Sequence, residues 1–363
     1  MTCTIRRLNI FDHDNNYFCN KMTISNNCIK KRCLSGIVYS KNLNGHRDSY
    51  VNLMSSIFNL YPEVGDINYG NISSIIRTPI LIFASIDDVY IEFLIISIIR
   101  SIYGKKTVAI FLRPTQCFEK TKYIYTIKRW VFKVLKRNNN LKILSIIPFD
   151  IKPNLAQVAH GWVHDPQLWD TSNSTPIPIK EMYDKILKYA DGRMIMTFIG
   201  SVKMIKGFKY LTEIFQNDIT LKNTILVVVA GKIDSDCTEE AKMLIDLGML
   251  VEDRYVTDSE IETLYCLSDI IWCCYRPDYD QASGIYGRSI QYGKRPIVRA
   301  GSILEEYQNI TGASHIALPY GQAYEGAMIL RNVIDSQTIY TYCTREKIQT
   351  WRIEFISRIQ AML

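Results

Sequence analysis

The second half of this chain alternates short β-branched runs with helical patterns, and that alternation leaves few folds open. The runs fall at Met194–Ile199, Thr224–Ala230, Asp269–Cys274 and Arg295–Val298. Between them the apolar period becomes helical, at Gly207–Gln216, Glu239–Leu247, Asp258–Leu267 and Ser283–Tyr292. Strands joined through helices by short connections pair in parallel, because a parallel crossover needs a helix-length return. The first half reads the same way. Its strands are expected at Thr4–Leu8, Ile80–Ala84, Thr107–Leu112 and Leu141–Ile147, with helices after Gly45, Asp88 and Cys117. A stretch rich in Pro, Ser, Thr and Asn, ending at Lys180, reads as the crossing between domains.

At 363 residues the chain is too long for one ordinary core. Two doubly wound α/β domains facing a cleft are expected, spanning 1–168 and 169–343, with a helix at 344–363 packing back on the first. A composition 47% hydrophobic and 22% charged excludes disorder and a membrane bundle. The most apolar region, Ile80 to Tyr103, carries Asp87, Asp88, Glu92 and Arg100, so no span of about 18 apolar residues exists. The start, MTCTIRRLNIFDHD, lacks the apolar core of a secretory signal, and the ten cysteines are scattered without a CxxC pair. Reduced thiols in the cytosol are the expectation. The net charge of +7 suits an anionic substrate or an acidic membrane surface and is too small to argue nucleic acid.

Two turns carry chemistry. Strand Met194–Ile199 runs into Gly200 and Ser201, and Lys206-Gly207 opens the next helix, with Lys203 between. Glycine lets a phosphate approach the backbone, and a lysine at a helix mouth neutralises its oxygens. The bland alternative is a surface loop with two solvated lysines. In the second turn Asp280 precedes Ser283-Gly284, a helix start whose free N–H groups at Gly284 and Ile285 face an anion. Its bland alternative is Ser283 as a simple N-cap.

In this order the pieces resemble the C-terminal half of the retaining GT-B glycosyltransferases, specifically glycosyltransferase family 4. The pieces are FIGSVKMIKGF, VVVAG ending at Gly231, VTDSEIETLY, SDIIWCCY, and DQASGIYGR followed by YGKRPIV. The resemblance covers roughly Ile195 to Val298 and only loosely the N-terminal half. It implies two Rossmann-like domains and a retaining hexosyltransferase, with transfer from a nucleotide-diphosphate sugar to a saccharide or polyprenyl-linked acceptor in bacterial surface-polysaccharide synthesis. Front-face attack without an obligatory metal or other cofactor is implied with it. Lys206 would bind the donor diphosphate and Asp280 would face the sugar hydroxyls. Gly284 and Ile285 would give N–H groups to the diphosphate, and backbone at Tyr255 and Val256 would lie near the base.

Two positions depart from the family. Ser201 stands where a diphosphate-binding arginine is common, with Lys203 as the replacement cation. Arg288 stands at the second acid of the acid–x7–acid element. An arginine cannot accept a hydrogen bond from a ribose hydroxyl, so Arg288 is expected on phosphate, or on a surface carboxylate away from the site.

In the first half, LNGHRDSYVNL resembles the family's glycine loop, which would put Gly45, His46 and Arg47 on the acceptor side. Arg113 ends the strand TVAIFLR where family members often carry a functional histidine. From Glu119 onward a helix carries Lys120, Lys122, Lys128, Arg129, Lys133, Lys136 and Arg137, with Ile124, Ile127, Val131, Val134 and Leu135 at helical spacing. Basic, aromatic and amphipathic together describe a helix lying on an anionic membrane, at 119–140, which would hold a cytoplasmic protein peripherally on the inner face. The alternative is a core-packing helix with a solvated basic side. Asp12-His13-Asp14 is a D-x-D string in an Asn-rich segment and reads as loop, and no metal site is expected. Two rivals stand beside transfer: a GT-B-shaped binding or regulatory protein without activity, and a nicotinamide oxidoreductase. The second is disfavoured because no GxGxxG follows a strand.

Overall fold

The computed structural model describes residues 36–42, 47–119, 122–170, 178–336 and 340–363. The expected strand Thr4–Leu8, the Asp12/Asp14 string, Gly45, His46 and Lys120 lie outside them. The first sheet contains β1 (Gly36–Ser40), β2 (Tyr61–Val64), β3 (Ile80–Phe83), β4 (Lys106–Phe111), β5 (Leu141–Ser145) and β6 (Gly161–Trp162). The second contains β7 (Met194–Ile199), β8 (Ile225–Ala230), β9 (Leu250–Glu252), β10 (Ile270–Cys273), β11 (Arg295–Arg299) and β12 (Ile316–Leu318). All pairings between these strands are parallel.

Helices α1 (Arg47–Phe58), α2 (Ile72–Arg77), α3 (Tyr90–Ile102) and α4 (Tyr123–Leu135) belong to the first half. Then come α5 (Lys180–Ala190), α6 (Phe208–Asn217), α7 (Thr238–Asp246), α8 (Asp258–Leu267), α9 (Gly284–Gln291), α10 (Ile303–Thr311), α11 (Ala323–Asp335) and α12 (Arg345–Gln360).

The second sheet runs β12-β11-β10-β7-β8-β9. Its strand order reverses between β7 and β10, and the crevice outside their carboxyl ends is where open α/β sheets take ligands. The first sheet runs β2-β1-β3-β4-β5-β6 and reverses between β1 and β3. Both candidate turns of the second half therefore sit at its switch point, and the Arg47 helix start sits at that of the first. The fold class is two doubly wound parallel sheets, as the alternation requires.

The described start of the crossing between the sheets, residues 164–169, is packed into the protein. His164, Asp165, Gln167, Leu168 and Trp169 are buried. Asp165 accepts from Tyr50 Oη at 2.5 Å and from the Gln167 N–H at 2.9 Å. Trp169 donates Nε1–H to the His164 carbonyl at 3.1 Å, and its ring meets Phe355 of α12 at 4.8 Å. The stretch was read as a linker, yet its buried His164, Asp165 and Gln167 side chains each make a hydrogen bond, which offsets much of the cost of burial. From α12, Arg358 donates to the Trp162 carbonyl at 2.9 Å, so this helix touches the last strand of the first sheet.

Candidate functional site

The turn after β7 is pressed onto the end of β10. Gly207 has φ +76, and a Cβ there would stand 2.0 Å from the Cys274 carbonyl oxygen. Only glycine permits that approach. The contact is stitched by the Arg276 N–H donating to Ile205 O at 3.1 Å and by Trp272 Nε1–H donating to Lys206 O at 3.1 Å. Tyr275, next along, shares a 2.9 Å hydrogen bond with Ser283 Oγ, and Ser283 caps α9 by accepting from the Tyr286 N–H. One chain of contacts thus joins Lys206 to the N-terminus of α9.

Lys206 is half-buried, and burial lowers its pKa below the ordinary lysine value. Its ammonium has no hydrogen-bond or ion-pair partner among the described residues. A Cβ added to Gly200, itself at φ +88, would lie 3.8 Å from that Nζ. The N–H groups of Gly284 and Ile285 likewise have no partner among the described residues, as the first turn of a helix leaves them. An unpaired, partly desolvated cation and two open N–H groups thus lie on loops joined by these contacts, and groups of this kind can receive an anion.

The other expected donor residues differ in exposure and partners. Ser201 is exposed, and Lys203 is an exposed side chain paired with Asp234 at 3.2 Å. Tyr255 is exposed and follows the edge strand β9, just before the Thr257/Glu260 capping box of α8; Val256 is half-buried. Asp280 is heavily engaged. Its Oδ1 accepts from Arg299 at 2.9 Å and from the Ile303 N–H at 2.9 Å, and Lys152 Nζ lies 3.6 Å from Oδ2. Lys152 follows β5, so this pair joins the carboxyl edges of the two sheets, as does Tyr307 Oη donating to Ile146 O at 3.0 Å. Sequence reasoning assigned nothing to Arg299 or Lys152. Arg299 is the last residue of β11, and Lys152 lies in the loop after β5.

Arg288 points to the domain crossing. Nε donates to Gln167 Oε1 at 3.0 Å, and NH1 donates to Asp170 O at 2.5 Å and Gln291 Oε1 at 2.8 Å. Gln167 in turn donates Nε2–H to Ser49 Oγ at 3.3 Å, linking α9 to α1. Gly287 allows this packing, since a Cβ there would stand 2.8 Å from Gln167 O. Arg288→Ala is therefore expected to lower the melting temperature while changing nucleoside-diphosphate affinity less than about threefold. The stability loss should be about 1–3 kcal/mol, the usual loss for a part-buried charged hydrogen-bonding group. Calorimetry and thermal unfolding on the same variant check both halves.

On the first-sheet side, Arg47 at the start of α1 forms an ion pair with Asp88. The neighbouring Asp87 is half-buried, and its carboxylate accepts the Leu112 and Arg113 N–H groups at 2.9 and 3.2 Å. Burial raises its pKa. Arg113 itself is exposed. The structure thus brings Arg47 and Arg113 around the Asp87-Asp88 turn after β3.

Two doubly wound parallel domains whose carboxyl-edge loops meet make up the GT-B architecture. Solved structures agree. HepE (Alr3699) of Anabaena, in complex with UDP and glucose, superposes with a TM-score of 0.59 at 12% identity, over 90% of this chain and 98% of its own. A glycosyltransferase of Rickettsia africae gives 0.57 at 13% identity, over 90% and 96%. WaaG, a glycosyltransferase involved in lipopolysaccharide biosynthesis, gives 0.50 at 11%, over 90% and 95%. No protein-family model matches the chain, and no curated protein matches it in sequence.

Proposed function

We propose that this protein is a retaining, metal-independent glycosyltransferase. It binds a nucleotide-diphosphate hexose between the loops after β7 and β10 and passes the hexose to a saccharide or lipid-linked acceptor on the Arg47/Arg113 side. The observation that carries this reading is Lys206, a half-buried ammonium without a partner at the switch point. Holding an unpaired charge out of water is costly unless a ligand supplies the counter-charge. As the sugar–phosphate bond breaks, negative charge grows on the leaving diphosphate. Lys206 and the open N–H groups of Gly284 and Ile285 meet that charge in fixed positions, which is usually the largest catalytic term. The leaving phosphate then helps take the acceptor proton during front-face attack.

UDP-hexose is the first donor to test, because HepE was captured with UDP and glucose. The involvement of WaaG in lipopolysaccharide synthesis supports surface polysaccharide as the setting. One observation favours the second reading, a binding protein without transferase activity. Asp280 is already held by Arg299, Lys152 and the Ile303 N–H, so a sugar hydroxyl would compete for it.

A panel of UDP-, GDP- and ADP-hexoses, titrated by thermal shift in EDTA, separates these outcomes, since a bound donor adds stability in proportion to the logarithm of concentration over affinity. A UDP-hexose should raise the melting temperature, and its turnover should persist in chelator. Activity lost in EDTA and restored by Mn²⁺ would move the chemistry to Asp12 and Asp14. Binding without hydrolysis or transfer would select the second reading.

A further inference from the structure

Helix α3 has four exposed positions, and each is an isoleucine: Ile91, Ile95, Ile98 and Ile102, between 50% and 78% exposed. Their spacing puts them on one stripe of the helix. A surface helix ordinarily gives that stripe to charged residues. Here the inward side is already filled by Phe93, Ile96, Ser97 and Arg100, so the isoleucines cannot serve the core.

Helix α4 continues the surface. The two helices lie side by side, since Tyr90 and Phe93 of α3 both meet the Phe132 ring, at 5.6 and 6.3 Å, and Asn138 donates to Ser101 Oγ at 2.6 Å. They are successive crossovers, β3 to β4 and β4 to β5, and so cover the same face of the first sheet. Ile124, Ile127 and Val134, read either as membrane-facing or as core-packing, are exposed, together with Tyr123 and Trp130 at 81% and 66%. The helix buries Phe132 and Leu135 instead. An apolar area shared by two adjacent helices exceeds the scattered single residues normal on a soluble surface.

The charge beside it has one sign. Residues 122–137 hold six Lys or Arg and no Asp or Glu. Lys128 turns inward, over the Tyr90 and Phe111 rings at 5.2 and 4.9 Å, and Lys136 donates to the Ala156 carbonyl. Lys122, Arg129, Lys133 and Arg137 remain exposed. We propose that the α3–α4 face seats the protein on an anionic lipid bilayer. The isoleucine stripe and Trp130 enter the headgroup–acyl boundary, and the four basic side chains meet lipid phosphates. A second copy is a poor occupant, because a symmetric pairing would set the same basic helix against itself. Both helices begin at the carboxyl edge of the sheet, where Arg47 and Arg113 stand, so the seated face borders the acceptor side. Use of a lipid-linked acceptor there rests on the transfer proposed above; the seating does not.

The test is flotation of the full chain with vesicles of equal phosphatidylglycerol and phosphatidylcholine, and with phosphatidylcholine alone. Binding is expected to the anionic vesicles at low salt, weakening as salt rises. Arg129→Glu with Lys133→Glu should reduce it by about thirtyfold or more, from the contribution of each basic residue near such a surface. Ile95→Asp with Ile98→Asp should abolish it while melting temperature and UDP affinity stay unchanged. Absence of flotation at low salt, or equal flotation with neutral vesicles, overturns the proposal. So does a concentration-dependent dimer that Ile95→Asp with Ile98→Asp dissolves, which would give the face to a second copy. Flotation decides this whether or not UDP binds.

Discussion

Lys206→Ala is expected to lower turnover by about 10²–10³, the loss typical of one preorganised charge donor to a developing oxyanion. The fold should survive, because the deletion removes an unpaired, partly desolvated ammonium and breaks no bond. Stability should stay level or rise, since the burial that lowers this pKa disfavours the charged form in the folded state. The sign follows by linkage: the penalty is full below the lowered folded pKa, shrinks as pH rises above it and is gone above the unfolded-state lysine value. Donor affinity should run the other way. It needs the ammonium, so it should decline with rising pH earlier than an ordinary lysine would dictate, and Lys206→Ala should remove that dependence. Steady-state kinetics with a purified donor, across pH, reads both effects. Unchanged turnover in the variant would take Lys206 out of the site.

Gly207→Ala should produce the largest loss of stability. An L side chain at φ +76 costs about 1–2 kcal/mol by itself. The added Cβ also falls 2.0 Å from the Cys274 carbonyl, which is backbone at the end of a buried strand and yields little. Together the cost should be roughly 3 kcal/mol or more, or about 6–12 °C in melting temperature for a domain of this size. Separation of the two turns should also open the Ile205–Arg276 and Lys206–Trp272 bonds, so nucleoside-diphosphate binding should fall with stability. Wild-type melting and wild-type affinity in this variant would show that the turns need no contact.

Burial made a pattern legible for most core elements, although the fully buried strand β1 was missed. Strand β7 and helix α8 fall on the residues read from periodicity, because β7 is covered on both faces and α8 carries a Thr257/Glu260 capping box. Strand β2 was missed: it is an exposed edge strand containing Pro62, with no apolar signal to read. Strands β9 and β12 have three residues each, too few for a period. Lys206, Gly207, Ser283 and Gly284 were legible because turn chemistry is local. The partners of Arg288 were not, since Gln167 and Asp170 lie 121 and 118 residues away along the chain. Helix α4 shows a different limit. Its periodicity revealed an amphipathic helix but left open whether the Ile124–Ile127 ridge met the core or a membrane; the sheet packs against Phe132 and Leu135, and the ridge faces outward.

The most direct measurement is calorimetric titration of UDP into the wild-type protein and into Lys206→Ala, in EDTA. The account predicts saturable one-site binding by the wild type. It also predicts a loss of at least about tenfold in the variant, as expected when one charged hydrogen bond to phosphate is removed. Equal affinity in the two proteins would contradict the central place given to Lys206. Absence of UDP, GDP and ADP binding to the wild type would contradict the nucleotide-sugar site itself.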